Sequence, residues 1–382
     1  MKKTYLVTGG AGFIGANFVK YILRTHGSDA AVVVVDALTY AGNIDNISDE
    51  IADGSVVFIH ANINDAEAMD KVFAEYNPDF VVNFAAETHV DRSITGPRIF
   101  AETNIMGTLT LLDTARRHWQ AGDGTWSAGK KFLHISTDEV YGSLAREYDN
   151  PQPIAIPEEL KPLVARRRDI PAAFGSGFFT EANPLKPRSP YSAAKASADM
   201  MVLAWNSTYG MPVNITRCSN NYGPMQFPEK LIPLLINNIQ EGKALPVYGK
   251  GLNVRDWLFV DDHCSAIDAV LLNGRPGEVY NIGGFNEKAN IDIVREVIEL
   301  VAEMTGTEPR HDLISYVTDR PGHDMRYAID PHKMASELGW VPLTTFADGI
   351  RKTVRWYLDN PDWVRKIVSG EYQEYYKKQY NR

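Results

Sequence analysis

Three stretches of the chain carry residue types whose spacing could do chemistry. Thr137-Asp138-Glu139 sets a hydroxyl beside two adjacent carboxyls, supplying an orienting donor, a possible acid and a possible base. To divide those roles, their surroundings must hold the two pKa values apart, one group protonated and the other not. Alone, the segment reads equally well as an acidic turn. Tyr191 and Lys195, four residues apart, fall on one face of a helix. A cation beside a phenol favours phenolate and lowers the tyrosine pKa towards working pH. A phenolate can take a proton from an alcohol while hydride leaves that carbon for a nicotinamide.

The third stretch is Thr8-Gly9-Gly10-Ala11-Gly12-Phe13-Ile14-Gly15, which follows an apolar run and opens a helical pattern. Gly9 permits a tight turn, Gly12 lets backbone amides approach a pyrophosphate, and Gly15 lets the helix pack closely on a sheet. The diphosphate then sits at a helix N-terminus, where free N–H groups and the helix dipole favour negative charge. Asp36 ends the second strand pattern, where an acid accepts from adenosine ribose hydroxyls and repels a 2′-phosphate. This favours NAD over NADP. Asn62-Ile63, after the third strand pattern, would border the adenine.

These groups need a rigid frame. Tyr5–Thr8, Ala31–Val35, Val56–Ile59, Phe80–Asn83, Lys131–Ile135 and Val213–Thr216 read as buried strands, alternating with helical patterns near 13–25, 65–76, 98–118 and 191–209. Near-continuous Val/Ile strands alternating with helices predict a parallel sheet covered on both faces. The fold class is therefore α/β: a Rossmann doubly wound parallel sheet with a smaller mixed α/β substrate-binding lobe. The NAD-binding unit is assigned to residues 1–220 and the lobe to 221–382, with some chain crossing between them. To the lobe we allot the apolar pieces Leu245–Tyr248, Trp257–Val260 and Val279–Ile282, with helices near 229–241, 261–273, 290–305 and 345–358. Residues 144–188 are Pro-rich and irregular, a long loop or inserted lid-like excursion. Its Arg166-Arg167-Arg168 run reads as a solvated face or, less simply, a phosphate contact.

The 382 residues are 44% hydrophobic and 23% charged with a net charge of −9, an ordinary globular composition that argues against broad nucleic-acid binding. Two cysteines, Cys218 and Cys264, make neither a disulfide framework nor a zinc cluster, so no metal is expected. The chain starts without a signal-peptide pattern and has no apolar run of about 18 residues, so no membrane partner is expected and the cytoplasm is the default compartment.

Taken together, the chain resembles the extended short-chain dehydrogenase/reductase family and, within it, the dTDP-glucose 4,6-dehydratase branch. The resemblance covers nearly the whole chain. It rests on Thr8–Gly15, Ala85–Ser93, Thr137–Gly142, Tyr191–Lys195, Cys218–Pro224, Phe227–Leu231, Arg255–Trp257 and Asp319–Asp324. Of these, Thr137-Asp138-Glu139 discriminates best, because related 4-epimerases lack the Asp. The resemblance implies that Tyr191, aided by Lys195 and Thr137, takes the C4 hydroxyl proton of a nucleotide-activated hexose as NAD accepts hydride. Glu139 then removes the C5 proton, Asp138 protonates the departing C6 hydroxyl, and hydride returns to C6. The implied NAD site adds Ala37, Leu38, Thr39, Phe84, Ala85, Ala86, Thr103 and Asn221 to the residues above.

For the nucleotide-sugar substrate, the resemblance implies contacts from Thr88, His89, Asn220, Lys230, Leu231, Pro246, Val247, Tyr248, Arg255, Asn290, Arg320 and His323. Arg suits a diphosphate through its planar fork, and Tyr can stack on a base. Bland readings stand beside three of these: Arg255 in a surface ion pair with Asp256, His323 at a turn, His89 bonded to backbone. Helices 98–118 and 191–209 are, by the same analogy, a homodimer interface. Met200, Met201 and Trp205 on the second helix belong to the core or to that contact. Two departures are notable: the loop after Gly142 is long, and Asn62 stands where the family has Asp. The rival functions are another sugar-nucleotide dehydratase or a 4-epimerase on the same fold, and a non-catalytic NAD-binding module.

Overall fold

The computed structural model describes residues 2–144, 153–155, 158, 161–165, 173–175, 177–319 and 323–368. Seven parallel strands form the central sheet: β1 (Lys3–Thr8), β2 (Ala30–Asp36), β3 (Val56–His60), β4 (Phe80–Asn83), β5 (Lys131–Thr137), β8 (Val213–Cys218) and β12 (Val279–Ile282). Their order across the sheet is β12-β8-β5-β4-β1-β2-β3. The direction of strand addition reverses between β1 and β4, where a doubly wound sheet opens its ligand crevice.

Alternation along the strands makes both faces apolar. Tyr5, Val7, Val34, Val82 and Leu133 pack with Phe18 and Ile22 of the Phe13–His26 helix and with Ile267 and Leu271 of the Val260–Asn273 helix. Their neighbours Leu6, Val33, Val35, Val81 and Phe132 point the other way. There they meet Val72 and Phe73 of the Ala66–Tyr76 helix, Leu111 and Trp119 of the Thr108–Trp119 helix, and Val202 of the Pro190–Tyr209 helix. That last helix is closed locally at both ends. Ser189 and Ser192 form a capping box, Pro190 fills the first turn, and Gly210 takes the left-handed conformation at φ 68°.

The smaller lobe contains β9 (Asn220–Tyr222), β11 (Val254–Phe259) and β13 (Glu287–Ala289) in one sheet. β10 (Leu245–Tyr248) and β14 (Ile314–Val317) pair in another. Helices Leu231–Glu241, Asn290–Thr305 and Phe346–Asp359 close a core around Tyr222, Trp257, Val297 and Ile350.

Two expectations change. Val279–Ile282 is not a lobe strand: as β12 it pairs in parallel with β8 in the central sheet, and the Val260–Asn273 helix covers that sheet beside the first helix. Four residues, three of them apolar, between polar turns carry no period that says which sheet will accept them. The helix expected over 98–118 is three segments: Pro97–Phe100, a wide π-type turn over Ala101–Gly107, and Thr108–Trp119. Within the Pro-rich stretch, β6 (Pro153–Ala155) pairs antiparallel with β7 (Ala173–Gly175). The Arg166–Arg168 run lies outside the described residues.

Leu133 is fully buried between β4 and β8. Leu133→Ala is expected to cost about 2–5 kcal/mol and to lower the thermal midpoint measured by circular dichroism. An unchanged midpoint would contradict this account of the core.

Candidate active site

At the end of β1 the chain turns at Gly9, whose φ of 69° and whose approach to the Ala85 amide nitrogen (2.7 Å from an added Cβ) exclude any side chain. A Cβ on Gly15 would collide with the Gly9 carbonyl oxygen. Gly12 caps the Phe13–His26 helix without any side-chain cap, and no acid stands in the first turn. The free amides of that helix end therefore face a cavity of 330 Å³ that Gly9, Gly12, Phe13, Ile14 and Gly15 line. Asp36, buried at the tip of β2, accepts from the Ala11 amide at 2.9 Å and the Leu38 amide at 2.8 Å. Burial pushes its carboxyl up and these two bonds pull it back.

Asp36, Ala37, Thr39, Asn62, Ile63, Phe84, Ala85, Ala86, Thr103 and Asn221 all line the same cavity, whereas Leu38 takes part through its backbone amide. A cradle that added Cβ atoms would fill, an uncapped helix end and an acid at the second strand tip together fit a dinucleotide diphosphate and ribose.

Deeper in, the cavity meets Thr137, Asp138, Glu139, Tyr191 and Lys195. The Thr137 hydroxyl lies 3.3 Å from Asp138 Oδ1 and accepts the Glu139 amide at 3.3 Å. Asp138 is 2% exposed and its Oδ2 has no partner among the described residues. Burial, with the Glu139 charge adding to it, holds the Asp138 carboxyl well above the usual carboxylate range, which favours its neutral form. Glu139 is only half-buried, so the two acids sit in different surroundings, as an acid and a base must.

The tyrosine departs from expectation. Its pKa is raised well above 10, first by burial and then by the Glu139, Cys218 and Asp138 groups; only a Thr137 hydrogen bond opposes this. The Lys195 side chain donates to the Ile135 carbonyl at 2.5 Å.

Of the residues expected to meet substrate, Thr88, Asn220 and Lys230 line the cavity, and Lys230 donates to the Thr88 carbonyl at 3.2 Å. His89 does not line it. Its Nδ1 accepts the Arg92 amide, and its Nε2 lies 3.4 Å from Glu229. Leu231 opens the helix beyond Lys230. Pro246, Val247, Tyr248, Asn290 and His323 gather on the lobe instead. There Val247 is core, the Tyr248 ring meets His323 at 6.0 Å and the Asn290 amide donates to Asn253. The Tyr248 hydroxyl reaches back to Asp91 at 3.3 Å. Arg255 is neither in the cavity nor in a surface ion pair. It is 5% exposed, donates to the Val254 and Asp324 carbonyls, and lies over the Tyr327 ring at 4.3 Å. Arg320 lies outside the described residues.

The sequence reading assigned no role to Glu229 or Tyr40. Glu229 lines the cavity and accepts from the Tyr40 hydroxyl at 2.9 Å. No local spacing could have paired residues 189 positions apart.

The family model described as GDP-mannose 4,6 dehydratase matches residues 6–158 and 173–353. The chain is 51% identical to dTDP-glucose 4,6-dehydratase 1 of Escherichia coli K12 over 376 residues, 98% of each chain. It is 50% identical to the dTDP-glucose 4,6-dehydratase of Shigella flexneri, again over 98% of each. Among solved structures, the Bacillus anthracis dTDP-glucose 4,6-dehydratase in complex with NAD superposes with a TM-score of 0.78 at 44% identity, covering 96% of this chain and 99% of that one. The Streptomyces venezuelae dTDP-glucose 4,6-dehydratase with NAD and TYD bound gives 0.80 at 42% identity, covering 95% and 99%.

Gly15→Ala is expected to weaken binding of NAD to the apoprotein by roughly tenfold or more, about 1.4 kcal/mol, in a calorimetric titration. Gly122→Ala, with nothing within 4 Å of the added methyl, serves as the control. Equal affinities would mean that the Gly9–Gly15 turn is not the cradle.

Proposed function

The chain belongs to the GDP-mannose 4,6-dehydratase family of extended short-chain dehydrogenases/reductases, and from that we propose that it converts dTDP-glucose to dTDP-4-keto-6-deoxyglucose and water. One observation carries the reading: a fully buried Asp138, whose burial favours the neutral acid, and a half-buried Glu139, adjacent in sequence, share a cavity with Tyr191 and Lys195. Elimination beside a ketone needs one acid and one base near neighbouring carbons. A 4-epimerase needs neither, although the Thermotoga maritima UDP-glucose 4-epimerase shares the fold at 27% identity and a TM-score of 0.74. A module that only bound NAD would have no use for the pair.

The cofactor is NAD, held by the Gly9–Gly15 turn and Asp36; bound there it supplies a positively charged acceptor for two electrons from C4 and gives the same two back at C6. Tyr191 receives the C4 hydroxyl proton. Its phenol is disfavoured as phenolate by burial and by the two carboxyls, and the Thr137 hydrogen bond works against that cost. The C4 ketone acidifies the C5 hydrogen, which Glu139 takes. Asp138 gives its proton to the C6 oxygen, and the C6–O bond breaks to release water. Glu139 returns its proton to C5 as C6 is reduced. The proton gained by Tyr191 replaces, by exchange through solvent, the one Asp138 gave up, so that over the turnover one water leaves and no net oxidation occurs.

The nucleotide end of the substrate extends past Lys230 towards the Tyr248–His323 and Asn290 face of the lobe. The protein acts as a homodimer in the cytoplasm. Ile99, Met106 and Met200 are between 47% and 51% exposed on neighbouring helices, an apolar face that a second copy would cover. Met201 and Trp205 instead pack partly against the core. Both cysteines are free and buried, and among the described residues no helix is long and apolar enough to cross a membrane.

Purified protein given dTDP-glucose is expected to release a product lacking the C6 hydroxyl by mass spectrometry. A product with C6 intact would overturn the reading. Glu139→Gln should abolish exchange of the C5 hydrogen with solvent deuterium. Asp138→Asn should slow water loss by roughly 10²–10⁴-fold with a smaller effect on exchange; the reverse pattern would exchange the two roles. Met200→Glu should yield a species of half the mass in light scattering.

A further inference from the structure

Behind the cavity, on its dry side, lies a cluster of charges that the reaction does not consume. Asp199 is 0% exposed and sits one helical turn beyond Lys195. Its Oδ2 accepts from Arg217 Nε at 2.9 Å, and Arg217, itself 3% exposed on β8, donates through Nη1 to the Tyr141 hydroxyl at 2.9 Å. Among the described residues Asp199 Oδ1 has no hydrogen bond of full geometry, although the Ser136 hydroxyl is close enough to help hold the carboxyl down. Oδ1 lies 3.8 Å from Nε2 of His134, and the same nitrogen is 3.4 Å from Lys195 Nζ.

The proton on His134 can be assigned from the surrounding bonds. Thr108 donates its hydroxyl to the Asn104 carbonyl at 2.7 Å, so its oxygen accepts from Asn83 Nδ2 at 3.1 Å. That amide also faces His134 Nδ1 at 3.3 Å, which must therefore accept. Burial and the Lys195 and Arg217 charges keep the ring neutral, so its hydrogen is on Nε2. An N–H cannot accept from the Lys195 ammonium. Among the described residues, this leaves the ammonium one acceptor, the Ile135 carbonyl. A buried cation with a single hydrogen bond needs a counter-charge.

We propose that Asp199, kept ionised by Arg217, is the positioning residue that holds Lys195 in its charged form through the field of its carboxylate. The inference rests on the dehydratase reading only for the use to which Lys195 is put. The other titratable or charged groups around the pair are His134 from β5, Asp138, Glu139 and Tyr141 from the turn after it, Arg217 and Cys218 from β8, and Tyr191 on the same helix. Burial lowers Lys195 to about 8, and Asp199 opposes that fall. Burial likewise pushes Asp199 up, and Arg217 pulls it back. The sign follows. With Asp199 neutralised, the ammonium loses its opposing charge, the Lys195 midpoint falls, and steps needing the cation fail at lower pH on the alkaline side.

The test uses NAD-loaded wild-type protein, with lysine Cε and aspartate Cγ labelled with ¹³C and Lys195→Arg and Asp199→Glu used for assignment. Asp199 Cγ is expected to report carboxylate throughout neutral pH and to shift again as Lys195 titrates near 8. A protonated Asp199 at pH 7, or the absence of that coupled shift, overturns the proposal even if Asp199→Asn fails to fold. In Asp199→Asn, the Lys195 midpoint should fall by about one pH unit or more. The alkaline limb for appearance of reduced nicotinamide should move with it, while the KM for dTDP-glucose changes less than about threefold. Asp199→Glu should restore the limb. A limb in Asp199→Asn that stays at the wild-type pH would reduce Asp199 to packing. The titration needs no turnover, so a protein that fails to dehydrate dTDP-glucose yet shows the coupled shift would sink the functional reading and spare this one.

Discussion

The site is governed by the cost of keeping charge away from water. At the carboxyl ends of β5 and β8, six ionisable side chains (His134, Asp138, Tyr191, Lys195, Asp199 and Arg217) are nearly inaccessible to solvent. Each must shed its charge or find it matched nearby. Asp138 and His134 shed it: burial drives both, with the Glu139 carboxylate assisting the first and the Lys195 and Arg217 cations assisting the second. Lys195, Asp199 and Arg217 keep theirs by alternating in sign. An acid that stays protonated and an amine that stays charged are thus two outcomes of one constraint, and the sheet order that sets β5 beside β8 brings them within reach of each other.

A second buried network joins the two halves of the cavity. Tyr40 follows the Asp36 loop, His89 follows Thr88, and both converge on Glu229 at the head of the lobe. Burial raises the Glu229 carboxyl and the Lys230 charge opposes the rise. Arg92 lies over the Tyr40 ring at 4.0 Å, so the loop beneath the expected adenosine is clamped on both sides. Polar groups this deep hold one arrangement well, because any slip leaves a donor or acceptor unpaired without water to replace it. The nucleotide-binding and sugar-binding loops consequently present themselves as one surface.

What the sequence discloses follows the range of the interaction. The strand-turn-helix around Gly9–Gly15, the tip at Asp36 and the four-residue step from Tyr191 to Lys195 are local, and each could be read from spacing alone. The direction of the tyrosine shift could not. It depends on burial and on carboxyls that arrive from the turn after β5. Arg255 shows the same limit. An Arg beside an Asp looks like an exposed ion pair, yet its guanidinium is buried and donates to backbone carbonyls, and the Asp256 carboxylate takes the Gly284 and Asn286 amides at 2.6 and 2.7 Å. Asp199 and Arg217 are 18 positions apart and meet only because a helix and the following strand cover the same patch of sheet.

The misassigned strand has consequences for how the protein is divided. Arg217 is braced on its far side by Tyr141, whose hydroxyl donates to Asn281 Oδ1 at 2.8 Å, and Asn281 lies on β12. The Asn281 amide in turn donates to the Glu181 side chain at 2.7 Å. The outermost strand of the sheet therefore comes from beyond the β9–β11 lobe segment and closes the shell behind Lys195. A chain ending near residue 220 would contain Thr137, Asp138, Glu139, Tyr191 and Lys195. It would lack the strand that fixes Tyr141, and through it the Arg217 fork on Asp199. Catalytic residues and the residues that set their charge are thus distributed differently along the sequence. The first group is complete before the lobe begins. The second is complete only after the chain has left the sheet, built β9 to β11, and returned.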